Sequence, residues 1–196
     1  MIRLIWIRHG ETEENRARRY LGHYDAPLTA FGREQAASAA LLLQHETIHS
    51  IYTSDLIRCR ETAAIVARPH DVEPRVVPEL RELDFGAWDR KTYEEIMLTH
   101  KTLAERWYNN PHDVAPPNGE SLRDLRNRLG VWLDALVGRM KPGETAVLVT
   151  HGGPIRWFLA TYVAEDPQAF WSVTGPGTGS VIVTNKGRQK WMASSL

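Results

Sequence analysis

The chain has 196 residues, and its 24 lysines and arginines balance 24 aspartates and glutamates. That length fits one domain over residues 1–196 with a single sizeable core. The absence of a basic excess speaks against a nucleic-acid partner, no stretch reaches the ~20 apolar residues of a membrane span, and one cysteine, Cys59, rules out an internal disulfide. With no secretory leader in the first residues, these features predict a cytoplasmic location.

Residues Ile2 to Ile7 are short, apolar and β-branched, the pattern of a buried strand, and Arg8-His9-Gly10 follows at its end. A helix is predicted from Thr29, a good N-cap, to about Gln44, with an apolar face of Ala36, Ala37, Ala40, Leu41 and Leu43. Ile48 to Thr53 reads as a second strand, and Ser54 as the cap of a helix that stops at about Ala67, before Pro69. Val76 and Val77 suggest a brief strand. Thr92 to about Trp107 reads as a helix that breaks at Asn109-Asn110-Pro111 and gives way to a loop reaching Gly119. Ser121 and Asp124 resemble a capping box for a long amphipathic helix to about Met140. Its apolar positions Leu122, Leu125, Leu129, Trp132, Leu133 and Leu136 recur at three and four. Thr145 to Thr150 is the most apolar strand and runs into His151-Gly152-Gly153-Pro154, where a helix to about Val163 begins. Val181 to Thr184 and Gln189 to Met192 read as a terminal hairpin. Strands and helices that alternate in this way predict an α/β layered sheet.

Two histidines thus stand where buried strands end. In open α/β sheets ligands bind beyond the carboxyl ends of parallel strands, so if these strands are neighbours both imidazoles face one crevice. The glycines after each histidine let backbone N–H groups approach an anion, and Arg58, in the first turn after another strand, can grip phosphate oxygens in pairs. The pattern points to phosphate. Cys59 lies between Arg58 and Arg60, which could lower its pKa, although a small helix residue is the simpler reading. Arg60 and Arg81 read as surface charges, and Trp88, Trp107, Trp132, Trp157 and Trp171 as core. No His-Glu-x-x-His spacing suggests zinc, and the glycine-rich run Gly175 to Gly179 lacks the lysine of a phosphate loop.

The chain resembles the histidine phosphatase superfamily, or phosphoglycerate mutase-like family. Arg8-His9-Gly10-Glu11-Thr12 with Asn15, Gly22 with Asp25, Pro27, Leu28 and Gly32, Ser54-Asp55-Leu56 with Arg58 and Thr62, Glu82 with Phe85-Gly86 and Trp88, and His151-Gly152-Gly153 follow the family's order from residue 8 to 153. The resemblance implies a three-layer α/β/α sandwich with a mostly parallel central sheet. It implies that His9 is the nucleophile that becomes phosphohistidine, that Arg8, Arg58 and His151 hold the phosphoryl oxygens, and that Glu82, rather than Glu79 or Asp84, protonates the leaving oxygen. Asn15, Leu21, Gly22, His23 and Gly152 complete the implied substrate-binding set, with no metal and no cofactor.

The implied partner is a small phosphorylated metabolite, and the protein a monomer or homodimer. The interval from Arg58 to Glu82 is short, without the insertions of the mutases, which favours the phosphatase branch. Lys91 to Ile96, Pro117 to Ser121 and His151 to Arg156 resemble α-ribazole phosphatases, whereas Leu21 stands where broad-specificity relatives often have glutamine and Trp88-Asp89-Arg90 departs from the usual Trp-Glu-Gly. A broad-specificity phosphatase, a phosphoglycerate mutase and a non-catalytic phospholigand-binding protein are the alternatives.

Overall fold

In the computed structural model, which describes residues 1–187 and 190–194, the apolar runs become six strands of one sheet. The order along the chain is β1 (Ile2–Arg8), α1 (Glu13–Arg16), α2 (Ala30–Leu43), β2 (Ser50–Thr53), α3 (Ile57–Val66), β3 (Pro74–Val76), α4 (Tyr93–Asn109), α5 (Leu122–Leu125), α6 (Val131–Arg139), β4 (Thr145–Thr150), α7 (Gly152–Phe158), β5 (Val181–Lys186) and β6 (Trp191–Ser194). Across the sheet the order is β3-β2-β4-β1-β5-β6. The first four of these strands are mutually parallel, and β5 and β6 close one edge antiparallel.

Period-two alternation builds the three layers. Leu4, Trp6, Ala146 and Leu148 face a core shared with Leu122, Leu125, Leu133, Ile155 and Phe158. Ile5, Ile7, Val147 and Val149 face the other, with Ala39, Leu43, Cys59, Ala63 and Val66 from α2 and α3. Both faces of β1 and β4 are therefore buried, which is why these strands read as continuous apolar runs. Among the described residues no helix is long and apolar enough to cross a membrane.

Several boundaries differ from expectation for physical reasons. Ser54 does not cap α3. The N-cap is Leu56, which makes no side-chain cap bond, and the Ile57 N–H is satisfied from outside by Asp25 Oδ1 at 2.6 Å. Ser121 and Asp124 do form the capping box, but the helix they open contains a π turn at Arg126–Gly130 before α6. The helix after β4 starts at Gly152, two residues early, and widens into a π turn at Leu159–Val163. A regular three-and-four spacing has no signature for these wider turns. Of the expected last strand, Gln189 lies outside the described residues, and the observed strand runs Trp191–Ser194.

Candidate active site

Strand register brings the two histidines together. β1 and β4 pair in parallel with Arg8 opposite Thr150, so His9 and His151 leave the sheet side by side, their ring centroids 5.1 Å apart. β2 lies on the far side of β4, with Thr53 opposite Val149, and delivers Ser54 and then α3 to the same edge.

His9 is buried, 3 % exposed. Its Nδ1 lies 2.7 Å from the carbonyl of Gly10. A carbonyl only accepts, so Nδ1 carries the proton and Nε2 keeps its lone pair. Burial, then the nearby Arg58 and Arg8, hold the imidazole pKa well below its ordinary value. The ring is thus a neutral base oriented by its own backbone. The loop that carries it is seated by close backbone contact: a Cβ on Gly10 would stand 2.1 Å from the Gly32 carbonyl oxygen. The N–H of Gly10 donates to Thr62 Oγ1 at 3.2 Å.

Arg58 is fully buried. Nη1 donates to the Tyr24 carbonyl at 2.8 Å and Nη2 to the Gly22 carbonyl at 2.7 Å, and Nε donates to His151 Nδ1 at 3.3 Å. Two of its five N–H groups remain for an anion. Because Arg58 can only donate, His151 Nδ1 accepts and Nε2 carries the proton, which reaches Ser54 Oγ at 3.1 Å. Burial is also the main reason the His151 pKa lies well below its ordinary value. Both nitrogens of His151 are engaged by the protein, so holding a phosphoryl oxygen requires this ring to release one of them.

The loop that accepts from Arg58 is itself clamped. Asp89 takes the Gly22 N–H on Oδ1 and the Tyr24 N–H on Oδ2, each at 2.9 Å. The departure at Trp88-Asp89-Arg90 thus bears on how Arg58 is aimed. Arg8 donates from Nη1 to the Pro176 carbonyl at 2.7 Å, while its buried Nε has no partner among the described residues. Burial lowers its pKa and Glu82 offsets that.

Glu82 is 8 % exposed. Oε1 accepts the Leu83 N–H at 2.8 Å, and both oxygens lie 3.1 Å from the Gly153 nitrogen. The carboxylate therefore sits over the start of α7, on the same side as Arg8. Its rivals do not share that place: Asp84 Oδ1 accepts the Gly86 N–H at 2.8 Å, and neither Asp84 nor Glu79 lines the cavity described next.

Arg8, Glu82, Gly152 and Gly153 open onto a cavity of about 250 Å3. Its walls are aromatic: Tyr20, Phe85, Trp107, Phe170 and Trp171. Trp171 is 40 % exposed at the rim, whereas Trp88 is buried behind the wall. Arg156 also lines the cavity, 5.5 Å from the ring centroids of both Phe170 and Trp171. Among the described residues it forms no ion pair.

Of the implied substrate set, Leu21, Gly22, His23 and Asn15 are placed beside the cavity rather than in its lining. Leu21 is buried and does not line the cavity. Gly22 spends its carbonyl on Arg58 and its N–H on Asp89. His23 reaches the Glu82 carbonyl with Nε2 at 2.9 Å and lies 3.6 Å from Asp84 with Nδ1. Asn15 Oδ1 accepts the Thr12 N–H at 3.1 Å as half of a capping box for α1. Of the five, Gly152 lines the cavity. Cys59 is buried, and burial pushes its thiol pKa up rather than down. Arg81 pairs with Asp55, Nε to Oδ1 at 2.8 Å. Arg156 and the Pro176 carbonyl stand outside the set that the sequence implies, whereas Asp89 lies in the departure at Trp88-Asp89-Arg90.

The family model described as histidine phosphatase superfamily (branch 1) matches residues 4–196. Phosphoserine phosphatase 1 of Hydrogenobacter thermophilus is 34% identical over 172 residues, covering 88% of this chain and 81% of that protein. The adenosylcobalamin/alpha-ribazole phosphatase of Salmonella typhimurium is 31% identical, covering 87% of this chain and 84% of its own length. The crystal structure of a putative alpha-ribazole-5'-P phosphatase from Escherichia coli superposes with a TM-score of 0.90 at 27% identity, covering 100% of this chain and 95% of that one. A chain matched by the family model from residue 4 to 196, with phosphatase relatives above 30% identity along most of its length, is a phosphatase that belongs to the histidine phosphatase superfamily, branch 1.

Proposed function

We propose that the enzyme hydrolyses a small phosphomonoester in two displacements at His9. His9 Nε2 attacks phosphorus, the ester P–O bond breaks, and the leaving oxygen takes a proton from Glu82. Water then attacks the phosphohistidine, the P–N bond breaks, and Glu82 takes the water's proton as inorganic phosphate leaves. Arg8 and Arg58 stabilise the negative charge of the transferring group without moving to do so. The observation that carries this reading is the Gly10 carbonyl on His9 Nδ1, which leaves Nε2 as the nucleophilic nitrogen.

The five aromatic cavity walls favour a leaving group with a flat apolar ring. α-Ribazole 5′-phosphate has that shape, with a benzimidazole on its ribose. A second reading, a leaving group with a carboxylate such as phosphoserine or a phosphoglycerate, is favoured by Arg156, a cation in the cavity that forms no ion pair among the described residues.

Initial rates on α-ribazole 5′-phosphate, O-phosphoserine, 3-phosphoglycerate and p-nitrophenyl phosphate test both levels. The aromatic reading expects the highest kcat/KM for α-ribazole 5′-phosphate. A preference for the two carboxylates that Arg156→Gln abolishes would transfer the assignment to the second reading. Rapid quench with labelled substrate should trap an acid-labile, base-stable phosphoenzyme that His9→Ala lacks. An active His9→Ala enzyme would end the proposed mechanism, as would 2-phosphoglycerate in place of phosphate from 3-phosphoglycerate.

A further inference from the structure

Glu82 lies on the non-helical stretch between the tight turns Pro78–Leu80 and Gly86–Trp88. Such a stretch has little rigidity of its own, yet the proton donor of a displacement has to be held within a fraction of an ångström. The structure supplies a brace behind it. Arg128, in the π turn Arg126–Gly130, donates from Nη1 to the carbonyls of Glu79 at 2.8 Å and Arg81 at 2.9 Å, and from Nη2 to the carbonyl of Glu82 at 2.7 Å. Its other contacts go to Glu120: Nε to Oε1 and Nη2 to Oε2, both at 2.8 Å. All five guanidinium N–H groups are thereby engaged.

Glu120 extends the grip to the other side of Glu82. Its Oε2 accepts the Asp84 N–H at 3.1 Å, and its own N–H donates to the Asp84 carbonyl at 2.8 Å. One ion pair, its side chains 20 % and 21 % exposed, therefore spans the main chain from Glu79 to Asp84. Arg128 does not line the cavity. The wider turn departs from α-helical phase at this residue, a feature that recurs at functional sites.

We propose that Arg128, locked by Glu120, is the positioning residue of the acid: it fixes the Glu79–Asp84 main chain and through it aims the Glu82 carboxylate toward the ester oxygen. This inference rests on the reading of Glu82 as proton donor. It concerns geometry and not field, so Arg128→Lys, which keeps the charge but loses the planar fork, is the informative change.

The test is a double-mutant cycle on the full chain with Arg128→Lys, Glu82→Gln and the pair. Each is assayed with glycerol phosphate, whose alkoxide needs a proton, with p-nitrophenyl phosphate, whose phenolate needs less help, and for Tm. Glu82→Gln alone should slow glycerol phosphate by about a hundredfold, the scale of general acid catalysis, and p-nitrophenyl phosphate far less. Arg128→Lys should show the same leaving-group signature at roughly tenfold. In the Glu82→Gln background it should add no further loss of kcat, while lowering Tm as it does alone. Losses that multiply across the two backgrounds, or that are equal for both esters, would overturn the positioning role and leave a structural ion pair. A Glu82→Gln enzyme without leaving-group dependence would instead overturn the acid assignment, and the inference with it. If Arg128→Lys does not fold, Glu120→Gln, which weakens the lock while keeping an amide oxygen for Arg128, enters the same cycle with the same expected outcomes.

Discussion

Gly153 is the position where one added carbon tests the acid most directly. A Cβ there would stand 2.2 Å from Glu82 Oε1 and 3.2 Å from its Cδ, more than 1 Å inside the ~3.5 Å at which nonbonded heavy atoms rest. The obstructing atoms are the tip of a flexible side chain, so the carboxylate yields rather than the backbone. Gly153 lies in α7 with an ordinary helical φ, where alanine is the better helix former by up to ~1 kcal/mol. Gly153→Ala should therefore fold, with Tm unchanged or slightly raised. Its Glu82 must withdraw by about 1 Å and give up the Gly153 N–H, keeping the bond from Leu83. A displacement of that size costs on the order of a hundredfold when it misplaces a reacting group. The assay is kcat for glycerol phosphate against p-nitrophenyl phosphate, with Tm measured in parallel. A large loss confined to the poor leaving group is expected. Full activity on glycerol phosphate would refute the claim that the carboxylate works from its seat over α7, and equal losses on both esters would refute proton donation as its task.

Gly10→Ala should fail in the opposite way. Its Cβ would meet the Gly32 backbone oxygen at 2.1 Å, with the Gly32 carbonyl carbon at 2.7 Å, and backbone cannot swing aside. A destabilisation at or above the ~1–3 kcal/mol of ordinary overpacking is expected in urea unfolding; an unshifted midpoint would show that the α2 start yields. The buried histidines should make stability depend on pH. The His9 and His151 pKa values are held low in the native state, mainly by burial, so as pH falls through the unfolded imidazole value of ~6.5 the unfolded chain takes up protons first. Stability is complete above that value and declines below it. Urea midpoints at pH 7.5 and 5.0 should fall accordingly, and His9→Asn should shrink the difference; an undiminished difference would assign the pH dependence to other groups. Arg90 has a φ of +64°, a region that costs a side chain ~1–2 kcal/mol, and its guanidinium rests 4.2 Å above the exposed Tyr24 ring, a contact of ~0.5–1 kcal/mol. Arg90→Gly should raise Tm by the small surplus, and a fall would show that the stacking outweighs the strain.

How much of this was legible depended on which atoms do the work. β1 and β4 were readable because strands buried on both faces are apolar throughout, and the histidines at their ends because imidazole and guanidinium chemistry is written in residue identity. The strand order that makes those ends neighbours was only a condition in the sequence reading, since pairing between β1 and β4 leaves no local mark. Cys59 shows the limit of reading neighbours along the chain. Burial, in the core between α2, α3 and the sheet, pushes the thiol pKa up and outweighs the pull of Arg58 in the other direction. Leu21, Gly22 and His23 sit in a motif that suggested contact with substrate. In the fold the His23 side chain reaches the Glu82 carbonyl, and main-chain geometry supplies the rest: the Gly22 carbonyl aims Arg58, and Asp89 holds the loop. The same holds for Pro176 on Arg8 and for the three carbonyls gathered by Arg128. Every residue has a carbonyl, so no letter marks the ones that orient a cation. The charged groups of the site could be found from the sequence, whereas the acceptors that point them had to wait for the fold. That is why the sequence yielded a cluster of charges and the structure a direction of attack.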